Sequence, residues 1–145
     1  MSSAPAHTTA ALVAAARRAA EHAYSPYSGW RVGAAVAFVG ADGPPFVGAN
    51  VENASYALTL CAERAAIVAG IVAGHRRIER LAISCRDARG ATVPGIVPCG
   101  ACLQVIAEFA TGDVEIAIDG GGIFRLADFL PRPFGTDVTV PRRGT

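Results

Sequence analysis

At 145 residues, with 52% hydrophobic and 17% charged side chains, the chain is sized for a single domain over 1–145 and is too apolar to be disordered. Its net charge is +1, and its 13 basic residues are all Arg, scattered apart from the short pairs Arg17-Arg18, Arg76-Arg77 and Arg142-Arg143. That pattern lacks the basic stripe of a nucleic-acid-binding surface; no run of about 18 apolar residues offers a membrane span; and the N-terminal stretch lacks a signal-peptide pattern, so the expected location is the cytoplasm.

Thr8 to His22 is predicted as a helix. Leu12, Val13, Ala16, Ala19, Ala20 and Ala23 share one side at helical spacing, Thr8 or Thr9 can cap it, and Tyr24-Ser25-Pro26-Tyr27-Ser28-Gly29 stops it. Val32 to Val39 and Phe46 to Val51 are apolar runs around Gly40-Ala41-Asp42-Gly43-Pro44-Pro45, which reads as a β-hairpin. Asn50 to Tyr56 is polar and irregular, and its Asn53-Ala54-Ser55 matches a glycosylation acceptor only by coincidence in a cytoplasmic chain. Leu60 to Ala73 is a helix ended by Gly74, Arg80 to Cys85 a buried strand, and Arg86 to Pro98 a loop. Gly100 to Ala110 is a third helix, ended by Thr111-Gly112, and Val114 to Ile118 is a strand. Asp119-Gly120-Gly121-Gly122 then turns into a short strand at Ile123 to Leu126, followed by a helical turn at Ala127 to Leu130. Residues 135–145 read as a polar tail. The hairpin requires an antiparallel pair, and the later strand–helix alternation requires crossovers and parallel pairing. The fold class is therefore α/β, a mixed sheet with helices on both faces.

Four cysteines in a cytoplasmic chain point to metal binding or redox chemistry. Cys61-Ala62-Glu63 puts a soft ligand and a carboxylate at the start of one helix. Pro98-Cys99-Gly100-Ala101-Cys102 puts a Cys-x-x-Cys pair at the start of the next. That pair, taken alone, is a redox couple, half of a four-cysteine zinc site, or two legs of a three-cysteine one. Cys85 ends a strand and reads as buried packing, and it is too far from Cys61 in sequence to form a second pair. A redox couple leaves Cys61-Ala62-Glu63 unused. The three-cysteine reading uses every piece: Cys61, Cys99 and Cys102 hold zinc, a fourth position stays open to water, and Glu63 handles protons. Three thiolates leave the centre at −1, which the positive helix N-termini and Arg64 would offset. His7, His22 and His75 have no part in this scheme and read as surface residues.

Asn50-Val51-Glu52-Asn53-Ala54-Ser55-Tyr56, Cys61-Ala62-Glu63-Arg64 and Pro98-Cys99-Gly100-Ala101-Cys102-Leu103-Gln104, in this order, resemble the cytidine deaminases of the small homotetrameric type. The resemblance extends to Tyr24-Ser25-Pro26-Tyr27-Ser28, Val32-Gly33-Ala34-Ala35 and Leu130-Pro131-Arg132-Pro133-Phe134, and so covers nearly the whole chain. It implies a three-layer α/β/α fold on a mixed five-stranded sheet and one Zn²⁺ per chain on Cys61, Cys99 and Cys102. The implied reaction turns cytidine and 2′-deoxycytidine into uridine and 2′-deoxyuridine with release of ammonia, in pyrimidine salvage. Glu63 would take a proton from the attacking water and return protons to N3 and the departing amine. Asn50 and Glu52 would bind the sugar 3′-hydroxyl, Glu52 as a buried carboxylate that disfavours a bare base. Phe134 would stack on the pyrimidine from a neighbouring subunit of a homotetramer with shared sites, and Ala54 and Tyr56 would also reach across an interface. Trp30 would form part of the pocket wall, Arg64 would temper the thiolate charge, and Gln104 is a candidate support behind the ligands.

Two positions depart from the family pattern. Leu103 stands where Arg is usual, so charge compensation is expected to lean on Arg64; Trp30 stands where Phe is usual. They motivate an alternative substrate, a modified cytosine nucleoside of the blasticidin-S-deaminase kind. The non-enzyme alternative is a zinc-binding domain, which would ordinarily close its metal with four ligands.

Overall fold

The computed structural model describes residues 7–135. Residues 1–6 and the expected polar tail from 136 onward lie outside the described residues. The elements, in chain order, are α1 (Thr9–Ala20), β1 (Arg31–Phe38), β2 (Phe46–Ala49), a 3₁₀ turn (Tyr56–Leu58), α2 (Ala62–Val72), β3 (Ile78–Arg86), α3 (Gly100–Phe109), β4 (Ala110–Ile118), β5 (Gly122–Arg125) and α4 (Leu126–Phe129). The five strands form one mixed sheet in the order β2-β1-β3-β4-β5. β1 and β2 are the expected antiparallel hairpin, in register from Gly33↔Ala49 to Val36↔Phe46. β3 and β4 run parallel, with α3 as the crossover between them.

Side-chain alternation along the strands separates two cores of different texture. On one face Ala35, Ala37, Ala82 and Ala117 meet Leu12, Ala15 and Ala16 of α1. On the other, Val36, Phe38, Leu81, Ile83, Ile116 and Ile118 meet Ala62, Ala66 and Ile67 of α2 and Leu103 and Ile106 of α3. Alanines on the first face, helped by Gly33, let α1 lie close to the sheet; a Cβ at Gly33 would collide with the Ala16 carbonyl. Gly48 does the same under α2, where a Cβ would collide with the Ala62 carbonyl, one residue from Cys61.

Three local expectations are corrected. Thr111-Gly112 does not end the third helix as a free turn. β4 already starts at Ala110, and Gly112 (φ 69°) lies within its register shift opposite Ile78–Arg80. The second helix begins at Ala62 rather than Leu60, because Leu60 pairs with Val51 by two backbone hydrogen bonds, Val51 N–H to Leu60 O at 3.0 Å and Leu60 N–H to Val51 O at 2.9 Å. This closes 51–60 into a loop and leaves Cys61 as the helix cap. His75 is not a free surface residue: it is half-buried against Phe38 and Phe46, with ring centroids 5.8 and 5.4 Å away.

Candidate active site

Cys61 is the N-cap of α2 and Cys99 the N-cap of α3, both with extended backbone. A cap must present an acceptor to the unpaired N–H groups of the first turn, and Cys99 does so, its Sγ accepting from the Cys102 N–H at 3.5 Å. Two helix N-termini therefore meet with sulfur at each, where the peptide dipoles favour thiolate. The Sγ atoms of Cys61, Cys99 and Cys102 all lie within 4.8 Å of one another, and Cys61 and Cys99 are 3.9 Å apart. Ligands about 2.3 Å from zinc at tetrahedral angles stand roughly 3.8 Å apart, so the donor type, number and spacing fit Zn²⁺ with one position left over.

Cys102 is buried, Cys61 half-buried and Cys99 exposed, so the cluster is closed from the core and open to one side. On that side is a cavity of about 190 Å³ lined by Asn50, Thr59, Cys61, Glu63, Ile96 and Cys99, among others. Thr59 also lines a neighbouring hollow of about 230 Å³ with Tyr27, Ser28, Glu52 and Tyr56. The Cys61 thiol is held down to about 5 by a hydrogen bond from Cys102 and, against the cost of burial, by Arg64. Cys102 is pushed up, first by that same hydrogen bond and then by burial. The two shifts are opposite faces of one hydrogen bond, which lowers Cys61 and raises Cys102.

Glu63 occupies the first turn of α2 and is 5% exposed. Burial pushes its carboxyl up to about 6, with the Cys61 charge adding, its own N–H and Arg64 opposing. A carboxyl in this range can hold a proton and release it near neutral pH. Arg64 Nη2 donates to Cys61 Sγ at 3.4 Å and to the Thr59 carbonyl at 3.3 Å, as the charge argument expects. Its Nε is buried without a partner. Leu103 faces the apolar core.

Asn50 is buried and lines the metal-side cavity. Its Oδ1 accepts from the Val32 N–H at 2.8 Å and its Nδ2 donates to the Trp30 carbonyl at 2.9 Å, a structural clasp that the sequence did not disclose. Glu52 Oε1 accepts from the N–H groups of Tyr27 (2.9 Å) and Ser28 (3.1 Å). Its partial burial pushes the carboxyl up, but these bonds outweigh it and the net shift is downward. Glu52 is half-exposed in the single chain, not the buried carboxylate expected. Tyr56 packs edge-on against Tyr27, centroids 5.6 Å apart, and lines the second hollow.

Trp30, Ala54 and Phe134 are exposed and line neither cavity; the Trp30 backbone bonds two lining residues, its carbonyl accepting from Asn50 Nδ2 and its N–H donating to Ser28 Oγ at 3.0 Å. Gln104 Nε2 donates to the Phe134 carbonyl at 2.7 Å. Cys85 is buried apart from the cluster, and its thiol is pushed up to about 11, first by burial and then by Asp87 and Glu63. Sequence reasoning missed Thr59, Ile96 and Val97 as lining residues. They lie in segments without regular structure, and no motif marks them.

An α/β/α sandwich that aims two cysteine-capped helices and a buried glutamate at one cavity defines a class: a hydrolytic metal site of the zinc deaminase kind. The comparisons give the family. Residues 7–118 match the model of the cytidine and deoxycytidylate deaminase zinc-binding region, and the chain belongs to this family. It is 46% identical over 128 residues to a cytidine deaminase of Mycobacterium tuberculosis, covering 88% of this chain and 89% of the relative. It is 42% identical over 105 residues to a cytidine deaminase of Sporosarcina psychrophila, 72% of each. Among solved structures, the cytidine deaminase of Burkholderia pseudomallei superposes with a TM-score of 0.74 at 40% identity, covering 88% of this chain and 100% of that one.

Proposed function

We propose that this single-domain protein is a zinc-dependent hydrolase that converts cytidine and 2′-deoxycytidine, with water, to the corresponding uridines and ammonia, in pyrimidine salvage. The observation that carries the reading is the convergence of three thiol sulfurs within 4.8 Å beside a carboxyl that is 5% exposed, all facing one cavity. Cys61, Cys99 and Cys102 would hold the metal. Zinc, when bound, supplies the Lewis acidity that makes water nucleophilic near neutral pH.

The chain's own residues do the rest. The Glu63 carboxylate takes the proton of the attacking water, and its raised affinity lets it keep that proton until the substrate needs it. It then delivers protons to ring N3 and to the exocyclic nitrogen at C4, which leaves as ammonia; such transfer contributes about 10²–10⁴-fold. Asn50 has one N–H and one lone pair left after its backbone bonds and can offer both to the sugar. Glu52, oriented by the Tyr27 and Ser28 amides, accepts from a sugar hydroxyl in the adjoining hollow. Ile96 and Val97 exclude water from the ring.

A homotetramer with shared sites is the favoured assembly. Tyr24, Tyr27, Val51, Tyr56, Leu58 and Phe134 leave a single chain with large apolar side chains 48–72% exposed. Phe134 touches neither cavity of its own chain, which is compatible with stacking on a base held by a neighbour. Four free thiols suit a reducing, cytoplasmic setting, and no helix among the described residues is long and apolar enough to cross a membrane. The test is ammonia release from zinc-loaded protein given cytidine, deoxycytidine, cytosine and cytidine monophosphate in parallel. Turnover of both nucleosides with little of the base or nucleotide is expected; no turnover of either nucleoside would overturn the reading. Sedimentation of active protein as a monomer would remove the role of Phe134 across an interface.

A further inference from the structure

Part of the wall of the metal-side cavity is made by Ile96, Val97 and Cys99, which belong to an irregular segment rather than to a strand or helix. Such a segment keeps its place only if something holds it. At its start, Val93 N–H donates to the Cys85 carbonyl at 2.9 Å and Thr92 bridges Arg86, both at the end of β3. At its far end Ile96 packs on the core and Pro98 is buried. Between these anchors Pro94 rests on the turn after β4. A Cβ at Gly121 would collide with the Pro94 carbonyl oxygen and lie 2.8 Å from Ile118 Cγ2, so the two backbones touch where only glycine fits. The turn is itself pinned: Asp119 N–H donates to the Ile83 carbonyl, and the Asp119 carboxylate accepts from Arg17 at 2.6 and 2.8 Å and from Ser84 at 2.8 Å.

We propose that Gly121 is a positioning residue for the active site: its close backbone approach to Pro94 is the seat against which the 92–98 segment is set, and thereby places Ile96, Val97 and Cys99. The inference rests on the reading of the cavity as the metal and nucleoside site. Gly121 lines neither cavity, and the nearest atoms its Cβ would meet belong to Pro94 and Ile118 rather than to the metal cluster, so its effect reaches the site through the Pro94 backbone and the Ile118 side chain. Gly120 supplies the contrast. It has φ 74°, so a side chain there strains the turn, but a Cβ would meet only Pro94 Cβ at 3.4 Å and Thr92 Cγ2 at 3.7 Å, ordinary contacts. Gly121 has no such φ, so its substitution moves the segment without imposing that strain.

The experiment compares Gly121→Ala with Gly120→Ala as holoenzymes and with Co²⁺ in place of zinc. Gly121→Ala is expected to lower kcat/KM for cytidine by about 10- to 100-fold, the scale of a roughly 1 Å misplacement, and to shift the thiolate-to-cobalt absorption. Gly120→Ala is expected to lower the melting temperature while leaving KM and the cobalt spectrum unchanged. If Gly121→Ala does not fold, Pro94→Gly, at an exposed position, loosens the same contact and should raise KM and broaden the cobalt bands. Wild-type kinetics and an unaltered spectrum in Gly121→Ala, or in Pro94→Gly where that variant stands in for it, would overturn the inference, as would equal kinetic losses in the two glycine variants. Wild-type protein that neither binds Co²⁺ through thiolate nor turns over a nucleoside would instead overturn the reading of the site, and the two failures are told apart by the unsubstituted control.

Discussion

Arg64→Ala tests whether the site's charge balance is set where the geometry places it. The guanidinium Nη2 bonds both the Cys61 sulfur (3.4 Å) and the Thr59 carbonyl (3.3 Å), and the Cys61 thiol is held near 5 by Cys102 first and by Arg64 after it, against burial. Losing Arg64 raises that thiol. Metal binding requires thiolate, so protons then compete better and the pH at which metal is half released moves upward. Hydrogen bonds to charged groups contribute about 1.5–3 kcal/mol. The long sulfur contact and the sharing with Thr59 put this one at the lower end, which corresponds to roughly tenfold weaker zinc binding. Chelator competition across the acid-to-neutral range reads both quantities. Arg64→Lys should recover part of the loss, since an ammonium carries the charge but lacks the fork that spans both acceptors. Unchanged affinity together with an unchanged release midpoint would refute the assignment.

Glu63→Gln should cut kcat by at least about 10²-fold while zinc content stays at one per chain; loss of metal instead would make Glu63 a ligand. Gly48→Ala pushes the first turn of α2 off β2 and should cost about 1–3 kcal/mol together with weaker zinc binding, whereas Gly33→Ala, under α1 on the other face, should cost stability with zinc binding intact, as urea midpoints and metal titration would report. Asp119→Asn should narrow its stability deficit as the pH falls. The wild-type carboxyl is held below its usual range by Arg17, with burial opposing and Ser84 assisting, so its contribution is complete above the unfolded value of about 3.9 and disappears as pH drops through the lower folded value. A deficit that stays constant from neutral pH to well below that range would contradict the pairing.

That Cys61, Cys99, Cys102 and Glu63 belong to one site was legible in the sequence because their chemistry is local, and the chain does bring the three sulfurs together beside a cavity that Glu63 lines. A cysteine at a helix start carries its own reason for being thiolate, and a glutamate two residues on shares the same turn. The strands were legible through runs of apolar residues, and the parallel pair through the helix that must connect it. What the sequence hid is non-local. The bulge at Gly112 depends on β3 lying alongside, and the burial of His75 depends on Phe38 and Phe46 arriving from the hairpin. Glu52 looked buried because a carboxylate that discriminates among ligands should be. The chain leaves it half-exposed, held by the turn that the Tyr24–Gly29 run makes against it. Gln104 read as a candidate support behind the ligands; the bond its amide makes to the Phe134 carbonyl joins residues thirty apart and leaves no mark in the sequence.

Under the proposed function, Asn50 and Glu52 divide their polar atoms between fold and ligand. A buried amide must be hydrogen-bonded, and Asn50 satisfies half of its capacity by clasping β1 at Val32 and Trp30. Glu52 spends one oxygen on two backbone amides of the Tyr27–Ser28 turn. Neither side chain therefore waits for a ligand to fix its rotamer. The ordering entropy has been met by folding, and binding need not supply it again. The same logic applies at the metal end, where helix caps and Arg64 prepare a thiolate before any cation arrives. Preparation has a cost that the structure also displays, in the buried Arg64 Nε without a partner and the Glu63 carboxyl pushed toward neutrality. One cost lies on a side chain that lines the cavity and the other on the residue that bonds the Cys61 sulfur; the alanine-lined α1 face is not free of such a cost, since Arg80, whose Nη1 donates to Thr9 of α1, also keeps a buried Nε without a partner.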